Sequence, residues 1–154
     1  MNVEARLAEL GITLPEIQAS TADLVPVVVW KDVAYVSGQL PKTAAGEIAA
    51  FGKVPAEVSV AQAQECARLC VIQALASLKQ HLGSLERVER IIKLTGFVNS
   101  DPTFGDQPTV INAASRLLVE IFGENGRHAR SAVGMGALPR RVPVEIEFVV
   151  GLSS

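Results

Sequence analysis

Residues 59–98 read SVAQAQECARLCVIQALASLKQHLGSLERVERIIKLTGFV. Ser59 with Gln62 is a capping-box pattern, in which a hydroxyl and an amide each satisfy a free backbone group at a helix start. Ala63, Cys66, Ala67, Cys70, Val71, Ala74, Leu75, Leu78 and Leu82 then recur at helical spacing as far as Gly83. The spacing predicts a helix of about 24 residues, roughly 36 Å long. Its apolar stripe needs a sheet to lie on, and residues 88–98, VERIIKLTGFV, read as the strand that follows. With a strand before the helix this makes a strand, helix, strand unit, whose crossover is expected to be right-handed.

Working outward, VPVVVW and VAYVSGQL, between Val25 and Leu40, read as two strands joined at Lys31-Asp32, a two-residue hairpin connection without the usual glycine. Residues 3–10 suit a short amphipathic helix ended by Gly11. The Gly- and Ala-rich stretch 43–57 is expected to include a short edge strand at Glu47 to Phe51. Downstream, Asp106 and Pro108 open a second helix carrying Val110, Ile111, Ala114, Leu117, Leu118, Ile121 and Phe122 and stopping at Gly123. The last two strands fall at about 130–137 and 143–151. Without repeats, low-complexity tracts or charge blocks, residues 1–154 form one domain. Two helices against one face of a mixed sheet make it a two-layer α+β fold.

Hydrophobic residues make up 49% of the 154 and charged ones 19%. That is apolar for a small monomer, and predicts a homo-oligomer that covers more surface. The net charge of −2 and the 5% aromatic content argue against nucleic acid as the main partner. Cys66 and Cys70 stand four apart on the predicted helix, with no His or Cys companion at ligand spacing. They read as packing residues rather than a metal site. The opening MNVEARLAELGI lacks the basic lead and apolar run of a secretory signal, so a cytoplasmic, non-membrane protein is expected.

The last strand poses a question. Its period of two puts Val144, Ile146 and Phe148 on one face and Glu145, Glu147 and Val149 on the other. Burying an unpaired carboxylate is costly, so the glutamate face must be wet, paired across an interface or open to a ligand. For Glu147 an intersubunit ion pair is the favoured explanation, and Arg130, after the exposed loop ENGRHA, could be an ordinary surface arginine. If LPRRVP (138–143) is a tight turn, Gly136 faces Glu145 and Gly134 faces Glu147, which leaves a hollow beside the carboxylates. The same hairpin places Arg130 opposite Gly151, about 20 Å from Glu145. Those two residues could then share a ligand only if a neighbouring subunit supplied one of them.

SGQLP at 37–41, the long helix, INAASRLLVEIF at 111–122 and ARSAV…LPRRVPVEIEFV at 129–149 together resemble the Rid family, the YjgF-like reactive-intermediate deaminases often labelled L-PSP endoribonucleases. The resemblance covers the chain after about residue 20, leaving 1–20 as an N-terminal extension. It implies a chorismate-mutase-like homotrimer with clefts between subunits, and hydrolysis of 2-imino or enamine acids to 2-keto acids and ammonia. By it Arg130 matches the carboxylate-binding arginine and Glu145 the site glutamate, with Ser37, Gly38, Asn112 and Ala132 lining the cleft. The chemistry fits those residue types. A planar guanidinium grips a carboxylate through two parallel hydrogen bonds, and a carboxylate can hold a water and take its proton with no metal or cofactor.

The sequence departs from the family in places. The stretch TADLVPVVVW has Leu24 but no tyrosine ahead of the first strand, Ala132 stands where a cysteine is common, and the loop FGENGRHAR is about one residue longer. Arg127, His128, Arg140 and Arg141 add charge near the motif. A missing hydroxyl bears on substrate range and on activity. The alternatives are a binder of small carboxylates without turnover and, third, an endoribonuclease, which the acidic net charge and only two histidines, His81 and His128, oppose.

Overall fold

A computed structural model describes residues 2–154. The elements follow in the order α1 (Val3–Glu9), β1 (Val27–Trp30), β2 (Val33–Gln39), α2 (Val60–Leu82), β3 (Val88–Asn99), α3 (Gln107–Phe122), β4 (Ala129–Met135) and β5 (Val144–Leu152). The strands form one mixed sheet ordered β1-β2-β5-β3-β4. Three α-helices and a five-stranded mixed sheet make an α+β fold.

Local chemistry sets the long helix as the sequence predicts. Ser59 Oγ accepts from the Gln62 backbone N–H at 3.1 Å, and Gln62 Oε1 accepts from the Ser59 N–H at 3.0 Å. Gly83 ends the helix at φ 83°, left-handed backbone that favours glycine. The β1–β2 hairpin closes where predicted, with Lys31 itself taking the positive φ, 55°. Leu75, Leu78, Ile111, Leu118 and Ile121 of α2 and α3 pack onto Leu94, Ile146 and Phe148 of the sheet, and all are fully buried or nearly so. Cys66 and Cys70 are free and buried in this layer; burial pushes the Cys66 thiol up to about 11 and raises Cys70 as well.

Two expectations are overturned. The chain from β4 to β5 is not a tight hairpin. β4 pairs in parallel with β3, while β5 lies on the other side of β3, antiparallel to both β3 and β2. Because α3 is a crossover helix it returns the chain parallel to β3. The connection then passes over the end of β3, where Asn99 donates from its backbone to Pro143 O at 2.8 Å and from its side chain to Val142 O at 3.2 Å. Gly136 and Gly134 therefore do not face the glutamates; Glu145 is paired with Phe97 and Glu147 with Thr95. The expected edge strand at 47–51 is also absent among the described residues, and one bridge, Lys42 to Ile48, stands in its place.

The N-terminal residues are tied to the domain. Val3 N–H donates to Glu86 Oε1 at 2.9 Å, Arg6 Nε to Glu120 O at 2.7 Å, and Gln80 Nε2 to Ile17 O at 2.7 Å. The sheet face away from the helices is open and carries exposed Val28, Tyr35, Val133 and Met135. Among the described residues no helix is long and apolar enough to cross a membrane.

Candidate active site

Arg130 stands on the edge strand β4, opposite Leu94 of β3, with Ala132 packed against the core two residues on. A period of two puts both on the helix-covered face. There Arg130 meets α3: its Nη1 donates to Asn112 Oδ1 at 2.8 Å and to Ser115 Oγ at 3.3 Å. Asn112 and Ser115 are three residues apart on one face of the helix, the spacing that lets both reach the same partner. No partner of Arg130 Nε or Nη2 is present among the described residues, so the edge suited to a bidentate anion stays open. The guanidinium borders a shallow hollow of about 240 Å³ lined by Ser115, Val119, Arg127, His128 and Arg130.

Glu145 belongs to the other face. Val144 and Ile146 on either side of it are buried beneath the helices, and Glu145 itself is half-buried on the open side. Burial pushes its carboxyl above the ordinary carboxylate range, and the neighbouring Glu147 charge adds to the effect. The β2–β5 register breaks between Val36 and Gln39, so Ser37 and Gly38 sit at the irregularity. A Cβ at Gly38 would overlap the Glu145 carboxylate, so only glycine lets the side chain lie there. Ser37 is exposed, and its N–H donates to Pro26 O at 2.9 Å. Beside it a hollow of about 290 Å³ is lined by Tyr35, Ser37, Lys93, Thr95 and Glu147, among others.

The candidate residues thus form two groups. Arg130, Asn112 and Ala132 gather at the helix side of β4; Glu145, Ser37 and Gly38 gather on the open face at β2 and β5. Along β3 the levels of Arg130 and Glu145 differ by three residues, roughly 10 Å rather than 20 Å, but the sheet stands between them. A single chain does not bring them into one pocket.

Three nearby residues take places that the sequence alone does not assign them, although His128 stands out in it as a charge beside the motif. Ser115 supports Arg130, and its signal was the i, i+3 spacing from Asn112. His128, two residues before Arg130 and just ahead of β4, bonds through Nε2 to Ser115 Oγ at 2.9 Å and through Nδ1 to Gly126 O at 2.7 Å. Tyr35, the chain's single tyrosine, brings a hydroxyl-bearing side chain to the open face, from β2 rather than from the segment ahead of β1. Arg141 is engaged away from both groups, with Glu57 at 3.0 Å. Among the described residues no group of three or more His, Cys, Asp or Glu side chains is placed to hold a metal ion.

The sequence model of one family, described as "YjgF/chorismate_mutase-like, putative endoribonuclease", matches residues 4–144. The chain belongs to this YjgF-like, or Rid, family. It is 42% identical over 153 residues to Protein TCP17 of Trypanosoma cruzi, covering 99% of this chain and 95% of that one. Among solved structures, a protein from Agrobacterium tumefaciens is 47% identical with a TM-score of 0.91, over 99% of this chain and 94% of that one. A "putative endoribonuclease" from Shewanella oneidensis is 31% identical with a TM-score of 0.92, over 99% and 100%. TdcF of E. coli, solved with bound serine, is 27% identical with a TM-score of 0.64, over 92% and 96%.

Proposed function

We propose that the protein is a hydrolytic deaminase of small reactive 2-imino and enamine acids, producing a 2-keto acid and ammonia in clefts between the chains of a homotrimer. One observation carries this most: the Arg130 guanidinium, fixed through Nη1 by Asn112 and Ser115, keeps its Nε–Nη2 edge free at the rim of a hollow. Such an edge is built for a carboxylate. The related TdcF holds serine, which carries that group.

Arg130 would fix the substrate carboxylate, leaving the adjacent imine carbon in the cleft. A water attacks the carbon of the N-protonated imine while Glu145 takes one of its protons; as the carbinolamine collapses, Glu145 returns that proton to the nitrogen, which leaves as ammonia, and accepts the hydroxyl proton as the carbonyl forms. A carboxyl held above its ordinary range is a better proton acceptor than a free surface glutamate. Because the sheet separates Glu145 from Arg130 in one chain, the cleft requires the open face of one copy to meet the β4 edge of another. The exposed apolar side chains of the open face suit such a contact.

The test generates 2-iminobutanoate in situ with an amino-acid oxidase and follows its loss. Wild-type protein should accelerate it, and Arg130→Ala should lower kcat/KM by about tenfold to several hundredfold, the worth of one or two charged hydrogen bonds. Equal decay with wild type, Arg130→Ala and no protein would leave a carboxylate binder without turnover. The endoribonuclease alternative has little support from the site, since both ring nitrogens of His128 are already engaged.

A further inference from the structure

Two side chains behind Arg130 have no part in the proposed reaction, yet their hydrogen bonds run in one direction. The Gly126 carbonyl can only accept, so His128 Nδ1, 2.7 Å away, carries the proton. In the neutral ring Nε2 is then a bare lone pair, and the Ser115 hydroxyl at 2.9 Å donates to it. That turns the Ser115 lone pairs toward Arg130 Nη1 at 3.3 Å, while Asn112 Oδ1 accepts the other Nη1 hydrogen at 2.8 Å. Both hydrogens of one guanidinium nitrogen are thereby held. The planar group cannot rotate without breaking one of these bonds.

We infer that His128 and Ser115 are positioning residues, a relay from the Gly126 carbonyl that fixes the direction in which Arg130 presents its Nε–Nη2 edge to a small carboxylate. The inference rests on Arg130 being the anchor, and it deepens that assignment. The neutral ring the relay needs is favoured by the site: burial lowers the His128 pKa, with the Arg130 charge acting the same way against the Gly126 carbonyl. The sequence builds the relay from two periods, Asn112 and Ser115 three apart on a helix, and His128 and Arg130 two apart on extended chain. It also walls the hollow beside the guanidinium, so it bears on which acids enter.

The experiment measures binding of 2-ketobutyrate and turnover of 2-iminobutanoate for wild type, Ser115→Ala, Ser115→Thr, His128→Leu and His128→Gln, with Arg130→Ala as reference. Ser115→Ala and His128→Leu should each weaken 2-ketobutyrate binding about three- to tenfold, with thermal stability little changed. Thr restores the hydroxyl and Gln places an amide oxygen near the Nε2 position, so both should recover most of the loss. The double variant Ser115→Ala/His128→Leu should be no worse than the weaker single, because the two act as one chain. Wild-type affinity in both disruptive singles, or a loss on Ser115→Ala with none on His128→Leu, would overturn the relay. Should wild type neither bind 2-ketobutyrate nor turn over the imine, the deaminase proposal falls, and the relay is decided by NMR of the Arg130 Nε–H. A rigid group that becomes mobile in both Ser115→Ala and His128→Leu sustains it, and a group equally mobile in all three overturns it.

Discussion

Gly38 and Glu145 lie on neighbouring strands so close together that the carboxylate occupies the space where a Cβ at position 38 would stand. The absence of a side chain on β2 is what gives the glutamate its place on β5. Gly38→Ala is expected to displace Glu145 and lower kcat at least tenfold, about 1.4 kcal/mol in barrier, while KM changes less because Arg130 is untouched. Steady-state kinetics beside a thermal melt check this. A variant with normal kcat would show that the position of the carboxylate is immaterial.

Since Arg130 and Glu145 sit on opposite faces of the sheet, each cleft is expected to take one of them from each of two chains. Two inactive variants, Arg130→Ala and Glu145→Ala, should then complement when unfolded and refolded together. Random assembly gives both intact residues to about one cleft in four, hence roughly a quarter of wild-type activity. Mixtures no more active than the separate variants would place the two residues in different sites.

The proposed proton acceptor must be ionised, so activity should fall as pH drops through the Glu145 pKa, which burial and the Glu147 charge hold above 4.5. Glu147→Gln removes the second cause. The acid limb of the kcat/KM profile should move toward lower pH in this variant, with turnover at neutral pH retained. An unmoved limb would assign it to another group.

His128 makes an opposite kind of prediction, about stability. Burial holds its pKa in the folded chain below the ordinary histidine value of about 6.5, so in the interval between the two the unfolded chain binds the extra proton. Its contribution to stability is therefore complete above about pH 6.5 and is lost as pH falls toward the folded value. Melting curves from pH 7.5 to 5.5 should show a steeper fall in Tm for wild type than for His128→Gln. Parallel curves would mean that the ring is as free to protonate as in the unfolded chain.

Much of the fold was legible because periodicity and caps act locally. The Ser59–Gln62 box, Gly83, the Lys31-Asp32 turn and the alternation from Val144 to Phe148 all fall where the sequence predicts. Strand order was less legible. The passage over the end of β3 depends on Asn99 reaching Pro143 and Val142, contacts far apart in sequence that no local pattern announces. Similarly, Arg130 and Asn112 could be singled out by resemblance, and the fold brings their side chains to 2.8 Å. Ser115 and His128 could not, because their roles exist only once a helix and a strand lie side by side.

β4 is bonded to the sheet along one side only, whereas β5 is clamped between β2 and β3. Unequal support means unequal stiffness: the marginal strand can yield sideways at little cost, and the clamped one cannot. The proposed grip on the ligand, Arg130, is thus mounted on the compliant part of the scaffold and the proposed proton acceptor, Glu145, on the stiff part. On the proposed function, acids of differing bulk would be accommodated by small adjustments at the margin while the chemical step keeps its geometry, and changes of ligand preference among related sequences are expected to collect along 129–135 before they reach 144–148.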